Sequence, residues 1–384
     1  MALIKSGIIG TGFIGPAHVE AVRRLGDVEM IALAELGDDL AKAKANLYSI
    51  PRAYGDYHDL LKDPEVQVVH ICSPNTKHFQ MVKEALAAGK HVICEKPLSM
   101  GTEESRELVR LAEQTDRITA LDFNYRFYPL NQQAAAMVRS GEVGRIYAVH
   151  GSYLQDWLFL DTDYNWRIEP DAGGESRAVA DVGSHWCDLI QFITGSKITS
   201  VFADLAVMIP VRKKPLKPIE TYAGKELDPG DYEPRPITTE DYGTVLLRFD
   251  NGARGAFTVH QCAAGRKNRL YYEIDGSKCA LAYDQEDPER LWIGRRDGPN
   301  RIMMRDPSIL APEARAIINY PGGHPEGYPD GLKQFVRAVY SAVKSGKKPV
   351  KPNYPTFADG HAEIALVEAV LRSHKTGGWD KVIY

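Results

Sequence analysis

Cysteine is scarce in this chain and is not arranged for a structural task. Five thiols in 384 residues, Cys72, Cys94, Cys187, Cys262 and Cys279, are scattered, odd in number and form no C-x-x-C pair. A disulfide framework and a cysteine-built zinc site are therefore not expected, whereas buried thiols in a reducing compartment, the cytoplasm, are. No charge of one sign prevails. Lys and Arg number 47 against 51 Asp and Glu, a net charge of −4, which offers nothing to nucleic acid or to an anionic membrane. No apolar run is long enough to span a bilayer. The first nine residues run straight into a glycine turn without a basic n-region, a long apolar core or a cleavage site, and so read as a strand and not as a secretory signal. Internal repeats are absent. What remains is 44% hydrophobic and 26% charged, with 33 Gly and 23 Pro, the composition of a soluble globular protein of two or so domains.

Residues 3–9 read as a first strand. They lead into Gly10-Thr11-Gly12-Phe13-Ile14-Gly15 and then an amphipathic run over 17–25. G-x-G-x-x-G between a strand and a helix is a dinucleotide cradle. The first glycine allows a tight turn, the second lets the backbone approach a pyrophosphate, and the third lets helix pack on strand while the helix N-terminus faces the anion. Gly10, Gly12, Phe13, Ile14 and Gly15 are thus candidate cofactor contacts. The apolar run 30–34 ends in Glu35, placed 20 residues past Gly15, where an acid accepts the ribose hydroxyls of NAD. No arginine follows Glu35, so NAD is expected over NADP.

The alternation continues with a strand over 66–72, a helix over 79–88 stopped by Gly89, a strand over 91–94, a helix over 103–114 and a strand over 118–121. Such alternation means a parallel sheet with right-handed crossovers, here over residues 1–122. Ligands of these sheets sit at the carboxyl ends of the strands. Ser73, Pro74, Asn75 and His78 follow one strand and Glu95-Lys96-Pro97 another, so all six of Ser73, Pro74, Asn75, His78, Glu95 and Lys96 are candidate cofactor contacts. Proline stops the strand and fixes the turn that presents Lys96. With a dinucleotide bound, Lys96 stands where cofactor and substrate meet, and its ammonium favours negative charge on a substrate oxygen. The plainer reading is a surface lysine after a strand.

Residues 123–384 differ in character. A helix over 130–140 is closed by Gly141, and strands are expected over 146–154, 202–209, 243–249 and 254–261. Asn251-Gly252 joins the last two as a hairpin, and Asp275-Gly276 joins 270–274 to 279–283 in the same way. Consecutive hairpins make an antiparallel sheet, hence an α+β domain after an α/β one. A sheet with one open face commonly buries it against a second subunit, so a homo-oligomer, dimer or tetramer, is expected. Residues 211–236, rich in Lys, Pro and Gly, read as an exposed arm, with Arg212-Lys213-Lys214 as a solvated face. Helical patterns over 331–345 and 357–374 close the chain.

Asp181-Val182-Gly183-Ser184-His185-Trp186-Cys187-Asp188 opens a helix that stops at Gly195. Asp181 and His185 are four apart and share a face if the helix starts near Asp181. A histidine in the first turn is favoured in its neutral form by the helix dipole. A carboxylate beside it orients the ring and stabilises the imidazolium once a proton is taken, which is what oxidation of an alcohol requires. Alternatively Asp181 caps the helix and His185 is a packed histidine.

Several stretches together carry a resemblance: Gly10 to Gly15 with His18, Ser73-Pro74-Asn75 with His78, and Ala88-Gly89-Lys90-His91-Val92 running into Glu95-Lys96-Pro97. Asn124-Tyr125-Arg126 with Pro129, Asp181 to His185 with Asp188, and Phe357-Ala358-Asp359-Gly360 complete it. The chain resembles the Gfo/Idh/MocA family of oxidoreductases over nearly its whole length. The resemblance implies a Rossmann domain and a C-terminal domain with an open, mainly antiparallel sheet through which subunits associate. It implies a catalytic set of Lys96, Asp181 and His185, with His185 as general acid/base, a cis Lys96–Pro97 bond, and sugars, inositols or related polyols as substrates. Tyr153-Leu154-Gln155-Asp156-Trp157 and Tyr164-Asn165-Trp166-Arg167 resemble a branch of the family that includes anhydrosugar dehydrogenases. Aromatic faces and bidentate polar groups suit a pyranose, so Arg126, Tyr153, Gln155, Asp156, Trp166 and Arg167 are candidate substrate contacts. The same stretch also reads as a domain-interface strand and loop. Three functions stay open: an NAD-dependent dehydrogenase acting on a ring hydroxyl, an NAD-requiring glycosidase or lyase of the same fold, and a non-catalytic sensor of dinucleotide and sugar.

Overall fold

The computed structural model describes residues 3–217 and 230–384. The chain forms two compact units, Met1–Phe127 with Gly327–Ile364, and Tyr128–Glu326 with Ala365–Tyr384. The expected division at residue 122 lies close to the first crossing. It did not include the return of residues 327–364 to the first unit.

In the first unit, strands β1 (Ile4–Ile9), β2 (Val28–Ala34), β3 (Arg52–Tyr54), β4 (Val68–Ile71), β5 (His91–Cys94) and β6 (Thr119–Leu121) alternate with helices α1 (Gly15–Arg23), α2 (Asp38–Leu47), α3 (Tyr57–Lys62), α4 (His78–Ala87) and α5 (Thr102–Glu113). All six strands are parallel, in the order β3-β2-β1-β4-β5-β6. Helices cover such a sheet on both faces, which is why β4 is buried at every position and β5 at all but its first. The strand order reverses between β1 and β4. The loops after these strands, Gly10–Gly15 and Ser73–Asn75, therefore flank the crevice where a doubly wound sheet takes its ligand.

The second unit opens with α6 (Pro129–Arg139), β7 (Ile146–Leu154), α7 (Pro170–Gly173) and α8 (Ser184–Thr194), followed by β8 (Ile198–Ala206), β9 (Val211–Pro215), β10 (Tyr232–Pro236), β11 (Tyr242–Phe249), β12 (Arg254–His260), β13 (Arg269–Gly276), β14 (Ala280–Asp284), β15 (Arg290–Gly294), β16 (Arg301–Met304) and α9 (Pro312–Arg315). After these come α10 (Tyr328–Ser345), α11 (Phe357–Thr376) and β17 (Asp380–Lys381). Nine strands form one sheet in the order β16-β15-β14-β13-β7-β12-β11-β8-β17. Only β7 and β12 run parallel; every other neighbouring pair is antiparallel. The Asn251-Gly252 hairpin forms between β11 and β12, while the second turn falls at residues 277–279, one step past Asp275-Gly276. Helix α8 is locked to the sheet by Trp186. Its indole stacks on Phe257 with centroids 4.8 Å apart, and its Nε1 donates to the Tyr271 carbonyl at 2.9 Å. Gly151 on β7 makes this possible, since a Cβ there would stand 2.1 Å from the Tyr271 oxygen and 2.7 Å from the indole nitrogen.

The described part of the 211–236 arm is not loose. β9 and β10 pair antiparallel as a separate two-stranded ribbon, and residues 218–229 of the expected arm lie outside the described residues. Arg212 is not on a solvated face. It is fully buried, donates to the Leu158 and Leu160 carbonyls at 2.8 Å each, and pairs with Asp241 at 2.9 Å. Arg177 pairs with the same carboxylate. Alternation turns Lys213 away from Arg212, and both lysines stay partly exposed against Asp161 and Glu169, while Arg212 is the buried one of the three, drawn in by the Asp241 carboxylate.

Candidate active site

The glycine loop has two kinds of glycine. Gly10 sits at φ +85°, and a Cβ there would stand 2.9 Å from the Cys72 carbonyl oxygen. At Gly15 a Cβ would be 2.6 Å from the Gly10 oxygen. The fold itself requires both. At Gly12 a Cβ would meet nothing within 4 Å, so the space above that residue is open to a ligand. Glu35 closes the far side of the loop, its Oε1 accepting from the Thr11 N–H and the Thr11 hydroxyl, each at 2.5 Å. Phe13 beside the opening is 57% exposed and Leu36, after the acid, 90%. The Ser73 hydroxyl after β4 is buried with no hydrogen-bond partner among the described residues. An open glycine, an acid at the end of β2 and an orphaned hydroxyl across the crevice fit a dinucleotide.

At the end of β5 the Lys96–Pro97 bond is cis. Glu95 is buried, with Oε1 2.9 Å from His18 Nε2 and Oε2 accepting the Lys96 N–H at 3.2 Å. His78 is also buried, with Nδ1 2.6 Å from the Pro97 carbonyl and Nε2 3.0 Å from that of Ser73. Burial lowers its pKa against the pull of both carbonyls, and the ring bridges the Ser73 loop and the proline turn. The side chains of Glu95 and His78 are thus spent inside the protein, and what they give the crevice is its shape. Arg126 pairs with Asp359 at 2.8 Å, and Asp359 in turn accepts from the N–H and hydroxyl of Thr356 at 2.7 and 2.6 Å.

In the second unit the helical path through Asp181 begins with a wide π turn over Val179–Gly183 and continues as α8. Such turns recur at functional sites. Asp181 does not cap the helix: the N-cap is Ala178. The Asp181 Oδ2 instead accepts from Gln261 Nε2 at 2.9 Å, and Oδ1 lies 3.9 Å from Arg167 Nε. His185 is buried in the first turn of α8, its ring centroid 6.4 Å from that of Tyr153. Tyr153 and Gln155 leave the carboxyl end of β7, and Gln261 that of β12; the parallel pairing of these strands puts all three at one edge. Tyr153 Oη and Gln155 Nε2 both donate to Asn268 Oδ1, at 2.6 and 2.8 Å, and Trp157 Nε1 donates to Gln155 Oε1 at 2.9 Å. Asp156 takes Lys267 at 2.6 Å and the Gly265 N–H at 3.0 Å. The Arg167 guanidinium lies 4.5 Å from the centre of the Trp166 ring.

Sequence reasoning did not single out Thr11, Gln261 or Asn268, or give His18 a role. Gln261 and Asn268 flank expected strands, and a polar residue at a strand end was the one signal that marks them.

The family model described as an oxidoreductase family with an NAD-binding Rossmann fold matches residues 4–123, and the GFO/IDH/MocA C-terminal domain matches residues 131–282. The chain belongs to the Gfo/Idh/MocA oxidoreductase family. Within the family, levoglucosan dehydrogenase of Pseudarthrobacter phenanthrenivorans is 30% identical over 394 residues, covering 99% of this chain and 98% of that one. Myo-inositol 2-dehydrogenase of Thermotoga maritima is 28% identical over 282 residues, 73% of this chain and 75% of the other. The structure of a levoglucosan dehydrogenase in complex with NADH and L-sorbose aligns with a TM-score of 0.88 at 27% identity, over 100% of both chains.

Proposed function

We propose that this protein is an NAD-dependent dehydrogenase that moves hydride between the nicotinamide and a ring hydroxyl, or the corresponding ketone, of a sugar, an anhydrosugar or an inositol. One observation carries the reading. A single chain holds an open glycine cradle bounded by Glu35 and, on a π turn and the first turn of α8 that follows it, a carboxylate and a histidine set among amide, aromatic and guanidinium groups. The named activities of the relatives, on an anhydrosugar and on an inositol, support the substrate class. Glu35 and the uncharged Leu36 after it favour NAD over NADP.

NAD bound at the cradle supplies the hydride acceptor. His185 takes the hydroxyl proton as general base and returns it in the reverse direction. Asp181, steadied by Gln261, balances the imidazolium. Lys96 donates to the reacting oxygen and favours its negative charge, a contribution of about 3 kcal/mol in sites of this kind. Trp166 offers an aromatic face to a pyranose, and Arg126, Gln155, Asp156 and Arg167 meet its hydroxyls directly or through water; Tyr153, expected to touch the sugar, is fully buried and instead backs the site through Asn268. A dimer or tetramer built on the open face of the nine-stranded sheet, in the cytoplasm, completes the proposal; exposed Leu246 on β11 supports that surface.

The test is NADH formation by the purified chain with NAD, and separately NADP, across pyranoses, anhydrosugars and inositols. The reading requires NADH in step with the oxidised product, a preference for NAD, and loss of turnover in Lys96→Met and His185→Ala. An aglycone released without net NADH, or NAD bound with no turnover on any of the panel, overturns it.

A further inference from the structure

Beneath Lys96 lies a buried chain of ionisable groups that the proposed chemistry does not use. His18, on α1 just past the cradle, has Nε2 2.9 Å from Glu95 Oε1 and 3.4 Å from Asp122 Oδ2. Its Nδ1 is 2.9 Å from Nδ1 of His70 on β4, and His70 Nε2 is 2.9 Å from the Tyr340 hydroxyl on α10. Cys72, after β4, lies beside the His18 ring. All of these side chains are buried. At the other end Glu95 Oε2 holds the Lys96 N–H.

The charges can be assigned. Burial opposes a charge on His18, but Cys72, Asp122 and Glu95 around the ring outweigh it and raise its pKa well above the ordinary value. Burial pushes the Cys72 thiol up, against the pull of the charge on His18. Glu95 is held low against its burial by His18 and by the Lys96 charge. Asp122 is pushed up by burial and then by the charge on Glu95, as expected of two carboxyls that share one site. Burial and the charge on His18 keep His70 neutral. It therefore accepts the His18 Nδ1–H and donates its own Nε2–H to Tyr340. The charge on His18 is thus opposed by Glu95, with Asp122 pushed towards its protonated form.

Asp122 Oδ1 has no hydrogen-bond partner among the described residues, but the remaining pairings are made, and buried pairings of this kind fix one arrangement of the elements they join. Here they join the helix that starts at the cradle, the ends of β5 and β6, and α10. We propose that His18 is a positioning residue for Lys96: its pairing with Glu95 clamps the main chain at the lysine to the helix that begins at the dinucleotide cradle. The kinetic consequence rests on the catalytic assignment of Lys96, whereas the clamp itself is testable in the chain alone.

The experiment compares wild type, His18→Leu and His18→Gln by amide hydrogen exchange with mass spectrometry, by thermal melting and by steady-state kinetics. Leucine removes the donor and the charge, while glutamine keeps an amide donor for Glu95. In His18→Leu, exchange in the peptide spanning residues 95–99 should rise about tenfold while peptides from β1 and β2 hold their rates. On a confirmed substrate kcat should fall about tenfold or more with KM for NAD within about threefold, and His18→Gln should recover most of both effects. Unchanged exchange over 95–99 refutes the clamp, as does exchange that rises throughout the unit or kcat that merely tracks melting temperature. If His18→Leu fails to fold, Glu95→Gln, which keeps shape and loses the ion pair, is held to the same criteria. A wild type inactive on every sugar and inositol would sink the proposed function, and the exchange result would still decide the clamp.

Discussion

The glycine cradle makes a prediction in which folding and binding separate. Gly12 has no left-handed backbone to protect, and a methyl added there meets nothing within 4 Å. Gly12→Ala should therefore fold as well as wild type, or gain about 0.5 kcal/mol because the unfolded chain loses freedom. The same methyl occupies the space through which the backbone approaches a pyrophosphate. NAD affinity should fall at least about tenfold, or about 1.4 kcal/mol. Gly10→Ala gives the contrast. Its φ of +85° costs about 1–2 kcal/mol for any residue with a Cβ, and the 2.9 Å approach to a backbone carbonyl adds to that. Urea denaturation measures the stabilities, and titration of NADH fluorescence measures binding. If Gly12→Ala binds NADH like wild type, the pyrophosphate does not lie over this loop. If it loses more than about 1 kcal/mol of stability, the open space above Gly12 is not there.

Asp241→Asn should cost about 3–5 kcal/mol in urea denaturation, because Arg177 and Arg212 are left buried without a counter-charge, whereas Lys213→Ala beside them should leave the urea midpoint unchanged. Burial opposes the ionised Asp241, but Arg177, the Ile209 N–H and Arg212 hold its pKa below the usual carboxylate range, so its contribution is present above that range and is lost as pH falls through the lowered value. His91 Nδ1 accepts the Ile118 N–H at 2.8 Å and must be unprotonated to do so; burial, then Arg117, lower its pKa from 6.5 to about 4. The unfolded chain binds more protons in that window, so stability should decline as pH drops from 6.5 towards 4. His91→Asn keeps the acceptor without the titration and should flatten the decline; parallel curves for the two proteins would contradict this. Gln261→Leu should lower kcat about tenfold and shift its pH profile, because Asp181 loses its amide donor, and an unchanged profile would remove Gln261 from the site.

The first unit was legible because its signals are local. Parallel strands buried on both faces are continuous apolar runs, and the cradle is a glycine pattern between a strand and a helix. The short strand Arg52–Tyr54 was not, having too few residues to show any alternation. Nor was the return of α10 to the first unit, since an apolar stripe shows that a helix is covered and not by what. Arg212 looked like its lysine neighbours until the strand turned it inward, where its partner Asp241, shared with Arg177, comes from a distant position. The candidate site divides along the same line. Lys96, Asp181 and His185 could be named from spacing and resemblance. That Tyr153 and Gln155 converge on Asn268, that Gln261 holds Asp181, and that His18 holds Glu95 are pairings across 77 to 115 residues that no local pattern encodes.

The central claim, hydride transfer from a ring carbon to nicotinamide with Lys96 at the reacting oxygen, is tested most directly by a single turnover. Excess enzyme is mixed with NAD and a sugar or inositol deuterated at the ring positions, and the label is followed by NMR in wild type and in Lys96→Met. The account requires wild type to place one deuterium on the nicotinamide ring and to leave a ketone, or a lactone at the anomeric carbon, on the sugar. Lys96→Met should bind NAD normally and transfer almost none. Label that stays on the sugar in wild type, or transfer undiminished in Lys96→Met, would contradict it.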